Sequence, residues 1–321
     1  MLRAPIRLGL QIPNFNFPEV SEEQLFEKLS DIAQTAESSG FDTVLVMDHL
    51  HQIRGVGPPE NWMLEGNEIL AGLAARTERV NLSLLVGATT YRNPALHAKT
   101  TTTLDVISGG RAIHSLGAGW YEEEHLAYGY EFPPLKERFE RLEDALRISR
   151  AMFTQESATV EGLHFHVEDV LVNPRPLRGD IPILVGGSGE RKTLRLVAQY
   201  ADGCNVFGDP ERARHLMGVL DAHCEDVGRD PAEITRTRLG TLSVAETHEQ
   251  AERQLAAWPD RLKIDPERLK YVLTVGDPDE VGEQIQALVA AGIEGFVFNM
   301  PNPQDPDAVA LAGETMSRAL G

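Results

Sequence analysis

Cysteine is scarce: Cys204 and Cys224 are the only two in 321 residues, at a spacing that fits no zinc or redox motif. That scarcity excludes a disulfide scaffold and predicts a reducing, cytoplasmic setting. Long apolar runs are missing too, since no uninterrupted stretch approaches the roughly 20 residues a membrane span needs. The start, Met1-Leu2-Arg3-Ala4-Pro5-Ile6, enters an alternating strand pattern without a signal-peptide core. Basic residues are outnumbered, 30 Lys and Arg against 49 Asp and Glu, for a net charge of −19. Without a basic run to offset it, that charge repels phosphate backbones and anionic headgroups, so neither nucleic acid nor membrane is an expected partner. There is no P-loop and no nucleophile elbow, which removes the main support for an NTPase or a serine hydrolase.

What is present is an ordinary globular composition, 42% hydrophobic and 25% charged, long enough for one large α/β domain over residues 1–321. Short apolar runs alternate with amphipathic stretches. Strands are predicted at 6–13, 43–48, 80–87, 111–117, 183–185, 203–207, 235–244 and 296–300. Helices are predicted at 21–39, 68–77, 93–108, 134–153, 191–200, 210–227 and 280–291, with a last one from about Pro306 and a helical and looped region around 250–270. Ser21 and Gln24 form a capping box for the first helix. Pro94 sits at the first position of the third, and Gly109-Gly110 follow its end. The alternation breaks at 158–176, where strand propensity, a turn at Glu161-Gly162 and two prolines predict a β-hairpin insertion.

About eight strands alternating with helices is the count of a (β/α)8 TIM barrel. A doubly wound sheet would want G-x-G-x-x-G after its first strand; here that strand ends Pro13-Asn14-Phe15-Asn16. In a barrel the site lies at the C-terminal strand ends. Those ends carry Asp48-His49-Leu50-His51, Gly87-Ala88-Thr89-Thr90-Tyr91-Arg92, Gly117-Ala118-Gly119-Trp120, Gly186-Gly187-Ser188-Gly189-Glu190-Arg191, then Asn205, Phe207 and Asn299. Small residues that let a backbone approach a ligand, with aromatics and a histidine, suit a large planar cofactor bearing a phosphate tail. In 186–191 a strand ends and a helix opens, so backbone N–H groups, the Ser188 hydroxyl and the Arg191 cation are available to phosphate. An imidazole such as that of His49 can give or take a proton at working pH. Its neighbour Asp48 either raises its pKa or caps the next turn, and both readings stay open.

Other clusters read as structural. His164 and His166 alternate on the hairpin with no third metal ligand in sight. Glu122-Glu123-Glu124 is the acid-rich first turn of a helix. Arg138 to Arg150 reads as a solvated face with ion pairs.

Taken together and in order, several segments resemble the luciferase-like monooxygenase superfamily, in its F420-dependent oxidoreductase branch, over nearly the whole chain. They are Asp48-His49-Leu50, Tyr91-Arg92-Asn93-Pro94-Ala95, Thr103-Leu104-Asp105-Val106-Ile107-Ser108-Gly109-Gly110-Arg111 and Leu116-Gly117-Ala118-Gly119-Trp120. Tyr128-Gly129-Tyr130, Ile183-Leu184-Val185-Gly186-Gly187-Ser188-Gly189 and Tyr200-Ala201-Asp202-Gly203-Cys204-Asn205 complete the set. The resemblance implies coenzyme F420, hydride transfer to or from a small organic substrate, and Asp48 and His49 beside the reactive ring with His49 as acid/base. It implies a non-prolyl cis peptide within Val86 to Thr89, at Gly87–Ala88 first, and a coenzyme phosphate held by Gly186 to Arg191. A homodimer is also in keeping with it. The glutamate that assists sugar-phosphate relatives is replaced here by Trp120, which argues against importing that substrate. The alternatives are an FMN-dependent two-component monooxygenase and a non-catalytic flavin-binding protein on the same barrel.

Overall fold

Parallel strands and helices alternate around a ring in a computed structural model that describes residues 4–258, 269 and 271–321. In chain order come β1 (Leu8–Ile12), α1 (Leu25–Ser38), β2 (Thr43–Val46), α2 (Gly66–Ala74), β3 (Asn81–Leu84) and β4 (Gly87–Ala88). Next are α3 (Pro94–Ser108), β5 (His114–Gly117), α4 (Glu122–Ala127), α5 (Leu135–Thr154), β6 (Ser157–Glu161) and β7 (His166–Leu171). Then follow β8 (Ile183–Gly186), α6 (Thr193–Tyr200), β9 (Gly203–Val206), α7 (Pro210–Val227), β10 (Thr235–Val244) and α8 (His248–Ala256). β11 (Leu273–Gly276), α9 (Pro278–Val289), β12 (Gly295–Asn299) and α10 (Pro306–Leu320) close the sequence.

The sheet runs β3-β2-β1-β12-β10-β9-β8-β5-β4, with β11 added to the upper end of β10. β3 pairs with β2 and β4 with β5, so these two are halves of one barrel strand, and Leu82 bridges Ala112 where the ring closes. The predicted (β/α)8 barrel is therefore present. Alternate strand residues face opposite ways, and the core divides accordingly. Leu45, Ile113, Leu184 and Val297 cluster inside the ring with Ala4 and Ile6, while Val44, Val46, Ile183, Val185, Phe296 and Phe298 pack outward against the helices. Both faces are covered, which is why the strands read as short apolar runs.

Local chemistry behaves as predicted at several ends. Ser21 and Gln24 close a capping box ahead of α1. Asn93 caps α3 with Pro94 in its first turn, and Gly109 ends it in the left-handed region. The segment after Gly109 explains a long motif: the buried Arg111 guanidinium donates to Ala74 O, Thr77 O and Oγ1, Val80 O and Ser108 O. It thereby satisfies carbonyls at the ends of α2 and α3 that have no helical partner.

The hairpin is β6 paired antiparallel with β7. Its turn is pinned by the buried Asp144 of α5, whose carboxylate accepts from Leu163 N at 3.1 Å, His164 N at 2.7 Å and Phe165 N at 3.1 Å. His164 leaves the strand face and meets Glu140 of α5 at 2.9 Å, whereas His166 stays exposed.

Some expectations are corrected. The non-prolyl cis bond is Leu85–Val86, not Gly87–Ala88. β11 was not anticipated, α6 starts at Thr193 and α2 begins two residues earlier than predicted. Of the region around 250–270, α8 is observed, while 259–268 and 270 lie outside the described residues.

Behind β4, the His97 and His114 rings meet tilted to each other with centroids 4.7 Å apart. Burial, then the Arg92 charge, pushes the His97 pKa down to about 3. Burial, then His97 and Arg150, pushes His114 far below its ordinary value. Native imidazoles here stay neutral, while unfolded ones take up a proton below their ordinary pKa, so acid favours the unfolded chain. Stability is expected to fall as pH drops from 6.5 toward 3, each histidine adding a slope of about 1.4 kcal/mol per pH unit. Urea unfolding of the wild type and of His97→Gln between pH 5 and 7.5 checks this. Equal slopes for the two proteins would overturn it.

Candidate active site

The end of β2 delivers Asp48 and His49 to the C-terminal rim, yet the two point to different partners. Asp48 is buried. Its Oδ2 accepts from Ala88 N and Arg92 Nη1, and its Oδ1 from Arg92 Nη2, each at 2.7 Å. Arg92 also meets Glu65, the N-cap of α2, at 2.5 Å. Burial alone would lower the Arg92 pKa, but Asp48 and Glu65 raise it further, so the guanidinium remains charged. These contacts form a clamp joining the β2 end, the α2 start and the β4 segment.

His49 turns to Glu124 on α4, with Nδ1 to Oε2 at 2.8 Å. Glu124 is fully buried. Its Oε1 accepts from Leu50 N and, at 2.7 Å, from His51 N, while Tyr91 donates its hydroxyl to Oε2. Burial pushes the Glu124 pKa up, but the bonds from His49, Tyr91 and the His51 amide more than offset this and hold it below the ordinary value. Burial and the Glu124 carboxylate push the Tyr91 pKa up, keeping the phenol protonated. Trp120 and Tyr121 stand edge-on to the imidazole, at 5.7 and 5.9 Å between centroids.

Asp48, His49, Tyr91 and Trp120 border a cavity of about 490 Å³ at the C-terminal strand ends, a volume in the range of a cofactor site. Its floor is Val86, and this explains two glycines: a Cβ on Gly117 would lie 2.7 Å from a Val86 methyl and one on Gly186 2.8 Å away. The walls are apolar through Trp120, Leu135, Phe139, Leu142, Phe207 and Leu239. Arg138 of α5 also reaches the cavity, donating Nη1 to Gly119 O and Nε to Pro133 O at 3.1 Å, over the Phe132 ring at 4.2 Å.

The predicted residues separate on this geometry. Asp48, His49, Ala88, Gly117, Trp120, Gly186, Gly187 and Phe207 line the cavity. Gly87 faces the other way, where a Cβ would meet the His97 ring at 2.4 Å, and Thr89 donates its hydroxyl to Gly117 O at 3.2 Å. The Ser188 hydroxyl accepts from Phe207 N at 2.9 Å and ties two loops together. Glu190 turns to α7, pairing with Arg212 at 2.7 Å and His215 at 3.2 Å. Gly189 and Arg191 lie exposed beyond the cavity wall, the latter without a side-chain partner among the described residues. No group of three or more metal-ligating side chains occurs among the described residues.

Apart from the apolar lining, with Val86 as its floor, Glu124, Arg138 and Tyr91 were missed. Glu124 was taken for a helix-dipole acid, Arg138 for a solvated cation, and Tyr91 for part of a motif without a role. The available signal for Glu124 was its place four residues after Trp120. Helical charge spacing masked Arg138.

The luciferase-like monooxygenase family profile matches residues 6–265. An F420-dependent glucose-6-phosphate dehydrogenase of Kineococcus radiotolerans is 31% identical over 324 aligned residues, covering 92% of each chain. Its counterpart in Microbacterium testaceum is 28% identical over 332, covering 94% of this chain and 95% of its own. The coenzyme F420-dependent tetrahydromethanopterin reductase of Methanopyrus kandleri superposes with a TM-score of 0.81, covering 99% of this chain and 100% of its own. At 19% identity that last likeness concerns the fold alone.

Proposed function

The chain belongs to the luciferase-like monooxygenase family, and from that premise we propose that it is an F420-dependent oxidoreductase transferring a hydride between the coenzyme and a small organic substrate. The observation that carries the reading is the cavity itself: an apolar slot floored by Val86, stripped of side chains at Gly117 and Gly186, with His49 at its edge.

The residues present fit the coenzyme. A planar ring needs a flat apolar bed and an open approach, which Val86 and the two glycines provide. A phosphate tail needs donors and cations, which the loop from Gly187 to the start of α6 offers through its backbone and the exposed Arg191 and Lys192. When bound, F420 supplies the hydride chemistry. The protein's share is to orient the substrate, exclude water with Trp120, Phe139 and Phe207, and move a proton at His49. The glucose 6-phosphate named for the two dehydrogenases is not carried over. Arg138 is the only Lys or Arg among the described cavity-lining residues, and it is already bonded to two carbonyls.

A cytoplasmic setting and a homodimer belong to the same proposal, and the buried free thiols of Cys204 and Cys224 suit a reducing compartment. No helix among the described residues is long and apolar enough to cross a membrane.

Titration of the purified protein with F420, FMN and NADP should give a dissociation constant for F420 at least about tenfold below the others, or about 1.4 kcal/mol. Equal or tighter FMN binding with oxygen-dependent turnover would move the protein to the two-component monooxygenases. Flavin binding with no turnover of any substrate would make it a storage protein.

A further inference from the structure

We propose that Glu124 is a positioning residue that fixes the tautomer of His49, keeping a proton on Nδ1 so that Nε2 is the nitrogen that exchanges a proton with the substrate. The inference rests on the reading of His49 as the proton carrier and adds to it the group that makes one nitrogen competent.

The argument is one of donors and acceptors. An ionised carboxylate only accepts hydrogen bonds. The two Glu124 oxygens face four groups: the amides of Leu50 and His51, the Tyr91 hydroxyl and His49 Nδ1. Two of these are amides, which can only donate, and the phenol held protonated by burial donates as well. With the carboxylate ionised, Nδ1 must donate at 2.8 Å. The neutral ring then bears its lone pair on Nε2. A proton taken from a substrate O–H bond would form an N–H bond there, and bound F420 would supply the hydride chemistry at the adjacent carbon; the reverse reaction would return the proton to oxygen. The imidazolium so formed sits against a buried carboxylate, which stabilises it.

The surroundings leave this role to Glu124. Asp48 is engaged by Arg92 and Ala88 N. Tyr121 presents its ring, and Glu123 pairs with Arg54 at 2.5 Å on the surface. The His51 ring meets Tyr128 and the His125 ring meets Tyr91 in tilted contacts, at 5.2 and 4.6 Å between centroids. None of these makes a hydrogen bond to His49 among the described residues.

Glu124→Gln tests the role at nearly constant shape. The amide oxygen can keep the Leu50 and His51 amides, which puts an NH2 against Nδ1 and forces the ring proton to Nε2. Long-range 1H–15N spectra of the 15N-histidine-labelled full chain, without coenzyme, read the tautomer directly; His49→Gln assigns the signal. The wild type should show Nδ1–H and the variant Nε2–H. With F420 and substrate present, kcat should fall at least about 100-fold with KM nearly unchanged. A wild-type spectrum showing Nε2–H overturns the proposal without any variant. So does a folded Glu124→Gln protein that keeps the Nδ1–H tautomer and the wild-type pH profile. Failure of F420 to bind the wild type would instead remove the coenzyme reading and leave the tautomer result standing.

Discussion

Replacing His49 by glutamine is expected to slow turnover roughly 10²–10⁴-fold, the usual share of general acid–base catalysis, while F420 affinity changes little. Glutamine has a similar reach and retains an N–H donor for Glu124, so the loop contacts survive. What it lacks is a proton it can give or take near neutral pH. Were His49 only structural, the loss would be about one kcal/mol of stability, with turnover per folded molecule intact. Single-turnover hydride transfer, coenzyme affinity and melting temperature on one preparation separate the two. Normal hydride transfer in a stably folded variant would remove His49 from the reaction.

Asp48→Ala should act through the fold. Truncating one member of a buried, doubly hydrogen-bonded pair strands the other, at a cost of about 3–5 kcal/mol. Glu65 remains on Arg92, which favours the lower end. Because a domain of ordinary stability has only about 5–15 kcal/mol in hand, the urea midpoint should fall sharply. Removing Arg92 as well should cost less than the sum of the two single changes, because they share one interaction. Unchanged stability with lost turnover would instead return Asp48 to the chemistry.

This division between neighbours marks where sequence reasoning ran out. Eight strands, the hairpin and the helix caps are local patterns of two or four residues, and they were legible. So were the glycine-rich strand ends that form the cavity. The partner of His49 was not, because it lies 75 residues away and the triple acid 122–124 already had a sufficient local explanation. Only the fold shows that Glu122 and Glu123 are exposed while Glu124 is fully buried. The cis bond was expected first at Gly87–Ala88 and lies at Leu85–Val86; Gly87 is glycine to clear His97. Arg191, expected to meet a phosphate where a strand ends and a helix opens, stands exposed beyond the cavity wall rather than inside it.

The packing around Val86 also bears on how the site could change. Gly117 and Gly186 bracket that side chain so closely that neither can acquire even a methyl group without displacing it. The depth of the slot is therefore set by one isopropyl group with no independent neighbour to share the adjustment. Bulk can be trimmed at position 86 in a single substitution, whereas adding bulk at 117 or 186 needs a second change at 86 first. Variation in what this barrel accepts from below is thus ordered, with Val86 the position that must move before its two neighbours can.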